Sequence, residues 1–124
     1  MKIKGGGDMR LYDEDYLSKL KFQHSLLLKM IDKNSFPFYS LALEKDLSES
    51  EVEQVLVLCQ ELQKEYEEQC ELGFVHHTPL LVHFVGMLPD KLPISETLQA
   101  LKAQNLYVDL IDVLQRAEKR VEED

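Results

Sequence analysis

The sequence predicts an all-α fold: a single multihelical bundle of about six helices, led by a long N-terminal helix with a heptad-like seam. Three observations predict it. Apolar residues recur at spacings of three and four from Leu17 onward, helix-capping residues stand where those patterns begin and end, and no stretch alternates apolar and polar residues long enough for a half-buried strand. With 124 residues and 44% hydrophobic content, the chain suits one compact core. One helical domain is expected over residues 13–121, between a flexible segment at 1–12 and a frayed end at 122–124.

The opening MKIKGGGDMR is glycine-rich and has no periodicity. Back-translated, Lys4 to Asp8 is a purine-rich tract just ahead of the Met9 codon, the pattern of a translated ribosome-binding site, so Met9 is read as the native start. From about Asp13 to Lys33, Leu17, Leu20, His24, Leu27 and Ile31 fall in one row at alternating steps of three and four. That is the a/d spacing of a helix that packs along another helix. Phe22 and Leu28 extend the apolar surface beyond what one intramolecular neighbour needs.

Pro37 opens a short second helix running to about Lys45, since the N–H it lacks is unpaired in a first turn anyway. Ser48 and Glu51 then form an S-x-x-E capping box, in which each side chain satisfies the other residue's orphan N–H, and a helix follows to about Leu72. Its expected inner side is Val52, Val55, Leu56, Cys59, Leu62, Tyr66 and Cys70, and Gly73 supplies a left-handed C-terminal cap. The run VLVLC in that helix is apolar all round, so the helix is expected to be central, with neighbours on two sides. LLVHFVGML is nearly continuous apolar sequence whose length would suit a buried strand, but the Thr78-Pro79 cap ahead of it argues for a buried helix. Ile94 to Gln104 and Leu106 to about Val121 form a helical hairpin turning at Asn105, with Leu98, Leu101, Leu106, Leu110, Ile111, Leu114 and Val121 inward.

Charge narrows the function. The 23 acidic and 14 basic residues give a net charge of -9, a field that repels nucleic-acid phosphates and anionic headgroups. The short helix, turn and longer helix from Ser35 to Cys59 have the outline of a DNA-binding helix-turn-helix, whose second helix must approach base edges and phosphates. Here that helix carries eight glutamates between Ser48 and Leu72 and one basic residue, Lys64, so a DNA-reading role is disfavoured. No apolar run approaches the ~20 residues of a membrane span, and no apolar segment follows the N-terminal lysines as in a secretory signal. A cytoplasmic location with no nucleic-acid or membrane partner is expected.

Catalytic and metal chemistry find no foothold. Cys59 and Cys70 lie eleven residues apart on one expected helix, roughly 16 Å at ~1.5 Å per residue. A disulfide needs its Cα atoms within ~7 Å, so reduced, packed thiols are expected. His76, His77 and His83 lack the spacing of a zinc site, which wants two ligands one helical turn apart and a third nearby. His24 falls in the seam rather than in the exposed H-x-x-K setting of a phosphotransfer histidine. No nucleophile motif, phosphate loop or cofactor signature occurs, so catalytic, cofactor and metal residues are each assigned as none.

The seam of Leu17, Leu20, His24, Leu27 and Ile31 is therefore the candidate site, an oligomer interface for a dimer or trimer. The expected function is a self-associating interaction or scaffold module, with an unidentified protein partner allowed. The alternative is an enzyme or small-molecule or metal binder with a site in the bundle core or between subunits.

The motifs FPFYSLALEKDLSESE, LGFVHHTPLLVHFVGML, DKL and ETLQALKAQNLY, in that order, resemble the YhaI-like family of small uncharacterised proteins from Bacillus and related bacteria, over Phe36 to Leu114. The resemblance implies a multihelical, oligomeric, cytoplasmic protein. That family brings no activity, cofactor or catalytic residue to carry over.

Overall fold

The computed structural model describes the backbone of residues 6–123 and the side chains of residues 13–121. Its helices are α1 (Gly6–Met30), α2 (Pro37–Glu44), α3 (Glu49–Glu71), α4 (His77–Met87), α5 (Ile94–Ala103) and α6 (Val108–Glu123), with no strand among the described residues. The all-helical class and the six helices agree with the sequence reading. The chain forms two compact units, Met1–Asp32 and Lys33–Asp124. Of the expected flexible opening, residues 1–5 lie outside the described residues, and α1 begins at Gly6, ahead of the periodic segment that starts at Asp13.

In the second unit α4 packs on α6, α2 on α5, α5 on α6, and α3 on both α4 and α6. The shared core is built from Phe38 and Leu41 of α2, Val55, Cys59 and Leu62 of α3, Leu80 and Phe84 of α4, Leu98 and Leu101 of α5, and Leu110, Ile111 and Leu114 of α6. Burying each such leucine, isoleucine or phenylalanine stabilises the fold by about 1.5–3 kcal/mol, which makes this core the main favourable term. Thr97 is also fully buried, and its hydroxyl is satisfied by donating to the Pro93 carbonyl one turn back.

Three expectations about facing are corrected. The helix over LLVHFVGML is buried on one side only: Leu80, Leu81 and Phe84 are buried, while Val82, Val85 and Met87 face solvent, because α3 and α6 cover only one side of α4. In α3 the run VLVLC is not covered all round either, since Val57 is exposed. α4 also starts at His77, with His76 as its flanking residue and no side-chain cap, so Thr78 does not cap it. Cys70 and Val121 are exposed rather than inward, both near helix ends beyond the packed layer.

Helix ends are finished in two ways. At the C-termini of α2, α3 and α5 the chain turns through a left-handed residue, Asp46 (φ 57°), Gly73 (φ 83°) and Asn105 (φ 64°). In each case the next N–H reaches back to the third-last helical carbonyl, Leu47 to Ala42, Phe74 to Gln69 and Leu106 to Leu101. These are Schellman motifs, with Asp and Asn tolerated in the left-handed region that glycine enters freely.

N-terminal capping is local only in α3, where the Ser48 hydroxyl accepts from the Glu51 N–H at 3.1 Å and Glu51 Oε1 accepts from the Ser48 N–H at 2.9 Å. Lys91 Nζ donates to that same carboxylate oxygen and to the Asp46 carbonyl, both at 3.0 Å, tying the α4–α5 loop to the α2–α3 turn. α2 is flanked by Phe36, which has no acceptor; instead Gln104 Oε1, from the end of α5, accepts from the N–H groups of Phe38 at 2.8 Å and Tyr39 at 3.1 Å. At α4, Gln69 Oε1 accepts from the His76 N–H at 2.7 Å, and Gln54 Nε2 donates to the Met87 carbonyl at 3.0 Å.

Replacing Gln104 by Leu orphans two N–H groups at once, at a cost of about 1–3 kcal/mol. Gln104→Glu keeps the acceptor and adds negative charge at a helix N-terminus, so it is expected to cost less than Gln104→Leu. Urea unfolding of the two variants checks this, and equal destabilisation by both sinks the capping role. A second outcome concerns pH: the Glu51 carboxyl is held below its ordinary value of 4.5, first by the Ser48 N–H and then by Lys91. A depressed folded-state pKa contributes stability that is present above the unfolded value and is lost as pH falls through the folded one. The stability gap between the wild type and Glu51→Gln is therefore expected to be full at neutral pH and to close below pH 4.5. A gap that stays constant to low pH contradicts the assignment.

Candidate interaction surfaces

α1 places every residue of the expected seam at the surface of its unit. Leu17, Leu20, Leu27 and Ile31 are between 36% and 58% exposed, and His24 is exposed among them. Leu17, Leu20, His24 and Leu27 lie on the helix, while Ile31 falls just past its last residue, Met30. At about 100° per residue the four helical positions and Ile31 share one side. Phe22, Leu26 and Met30, spaced by four, lie on the opposite side and are also exposed, Phe22 by 61% and Met30 by 78%. α1 thus carries two apolar faces, and of the two residues that the sequence marks as surplus to the seam, Phe22 and Leu28, Phe22 belongs to the second.

Between Tyr16 and Ile31 the charged side chains are Lys19, Lys21 and Lys29, all basic. From Tyr16 onward α1 is thus basic, while Asp8, Asp13, Glu14 and Asp15 balance Arg10 and the three lysines over the whole helix. Helices that stand alone in water are marginal even at this length, because their stability comes mainly from packing an apolar face.

The second unit presents its own apolar surface. An open groove of about 510 Å³ runs between α2 and α3, floored by Ala42, Leu43, Leu47, Val52 and Leu56 with the Tyr39 ring at one end. Tyr39 is half exposed and stacks on Phe36, ring centroids 5.9 Å apart and planes within 10°. Glu49 and Glu53, from the first turns of α3, line one edge. The first turn of α3 also carries Glu51, so this end of the helix is acidic.

A larger groove between α5 and α6, about 670 Å³, is polar. Across it Lys102 pairs with Asp112 at 2.7 Å and Glu118 accepts from Ser95 at 2.6 Å, and Arg116 and Lys119 complete its charged lining. The histidines have separate local settings. His76 lies edge-on to Phe74, with ring centroids 4.7 Å apart, His77 Nδ1 lies 3.1 Å from the Val75 carbonyl, and His83 sits 4.0 Å from Glu65 on an exposed surface. No group of three or more His, Cys, Asp or Glu side chains among the described residues converges as a metal site. None of the described helices is long and apolar enough to cross a membrane.

Residues 11–118 match the model of a family described as a protein of unknown function, DUF1878. The chain belongs to the DUF1878 family. That match spans α1 from Leu11 through most of α6, so the exposed N-terminal helix and the α2–α3 groove both lie within the family's domain.

Both cysteines of this DUF1878 protein are free and share α3. Cys59 is buried, and desolvation pushes its thiol up to about 12. Cys70 is exposed at the far end, in hydrogen-bonding reach of the Tyr66 hydroxyl one turn away, a contact that raises the Tyr66 phenol above its ordinary value. Since only the thiolate attacks, one thiol per native chain is expected to react with a disulfide reagent at pH 8, with Cys59 following only on unfolding. Peptide mass mapping of the labelled site checks this, and labelling of native Cys59 contradicts its burial.

Proposed function

We propose that this DUF1878 protein is a self-associating interaction module whose α1 seam, Leu17, Leu20, His24, Leu27 and Ile31, packs against the same seam of one or two further copies. The observation that supports the reading is the exposure of three leucines on a 25-residue helix and of Ile31 just past its end, in a three-and-four row that His24 completes. Burying four such residues contributes about 6–12 kcal/mol per chain before the costs of association, enough to offset the ordering of two partners. His24 in the middle of the row breaks the apolar continuity and fixes register, the role polar seam residues have in helix pairs. We place the module in the cytoplasm, where an exposed free thiol such as Cys70 stays reduced. Within the family we set it with the YhaI-like proteins of Bacillus, on the motifs from Phe36 to Leu114.

Sedimentation velocity of the wild type is expected to give a dimer or trimer. Changing Leu20 and Leu27 together to Lys removes about 3–6 kcal/mol of apolar burial per chain and sets like charges against each other, weakening association by at least ~100-fold. A folded monomer from this double variant, with its circular dichroism retained, is the expected result. A wild type that sediments as a monomer at ~100 μM defeats the reading, and unfolding of the variant assigns the seam to packing within one chain.

A further inference from the structure

The seam accounts for one side of α1 and leaves Phe22, Leu26 and Met30 in solvent on the other. These three residues form a single ridge, each four residues after the last, about 12 Å long at 1.5 Å per residue. Lys19 continues the ridge one turn before Phe22, Lys29 lies along one edge of it, and no acidic residue lies between Tyr16 and Ile31. The face is apolar along its crest and basic at its N-terminal end and on one edge.

The groove between α2 and α3 has the complementary character. Its floor is aliphatic, and Glu49 and Glu53 stand along its edge with no basic residue among its lining. Its length is set by α2, eight residues or again about 12 Å. An apolar groove rimmed by carboxylates selects a basic amphipathic helix, read through residues at i, i+4 and i+8. Basic helices with a large exposed apolar face are otherwise absent from the described residues: α3 is strongly acidic, α4 leaves Val82, Val85 and Met87 in solvent but carries no Lys or Arg, and α2, α5 and α6 turn their main apolar faces to the core.

We propose that the α2–α3 groove is the seat for the Phe22, Leu26 and Met30 ridge of α1 from a second copy of this chain, with Lys19 and Lys29 against Glu49 and Glu53. This rests on α1 being a self-association element. It adds that assembly uses two different surfaces, the seam between α1 helices and the groove between an α1 and another copy's second unit. The glutamates of the would-be recognition helix then have a role, selecting the basic part of the chain's own α1.

The test is zero-length carbodiimide coupling of the full-length wild type, mixed from 14N and 15N copies, with sedimentation run on the same sample. Amide cross-links from Lys19 or Lys29 to Glu49 or Glu53 that join one light and one heavy peptide are the expected result. Phe22→Asp with Met30→Asp is expected to lower their yield at least tenfold, with helix content by circular dichroism and the α1 seam's own association retained. Cross-links of a single isotope only place the ridge in its own chain and overturn the proposal. An oligomer whose lysines couple elsewhere, or whose yield ignores the Asp variants, overturns the groove while leaving the seam intact. A monomeric wild type overturns both.

Discussion

A helix of eight residues has few internal hydrogen bonds and four unpaired N–H groups at its start, so α2 depends on whatever satisfies that end. Phe36 offers nothing, and the acceptor is the Gln104 side chain, sixty-six residues from Phe38 in sequence. Because Gln104 is also the last residue before the Asn105 turn, the same position ends α5 and begins α2 in space. The α2–α5 layer, and with it the groove between α2 and α3, is held by that one amide oxygen together with the Phe38 core contact. Gln69 and Gln54 repeat the device at the two ends of α4, so three short or poorly capped termini are finished by amides from elsewhere. Glutamine suits this role: it reaches farther than serine or asparagine and offers both a donor and an acceptor without charge.

These ties give the second unit its definition. Short helices that would fray alone become parts of one hydrogen-bonded frame, and the core residues of five helices then interlock beneath it. Lys91 adds a charged strut across the α2–α3 turn, joined to the same Glu51 oxygen that completes the capping box. The surface left over is uneven. One side of α4 and the α2–α3 groove stay apolar, while the α5–α6 face is polar and is bridged by the Lys102–Asp112 pair.

α1 has a different character. From Tyr16 to Met30 it carries only basic charges, and both of its sides carry large apolar residues. On the reading we propose, those sides are covered by further copies of the chain, and burying them is what stabilises the helix.

Sequence alone determined the class, the six helices, the Ser48–Glu51 capping box and the Gly73 and Asn105 turns, because each is written in residues within one or two turns of each other. Asp46 was missed as a left-handed turn since aspartate there resembles any surface residue until the next N–H is seen reaching back to Ala42. The one-sided burial of α4, the exposure of Cys70 and Val121, and the buried Thr97 were decided by which neighbours exist to cover each face, a non-local matter that periodicity does not encode. The groove and the glutamine caps belong to the same class. Gln104, Gln69 and Gln54 read in the sequence as ordinary polar helix residues, and only the folded chain, by setting one helix's side chain against another helix's unsatisfied end, turned them into the frame.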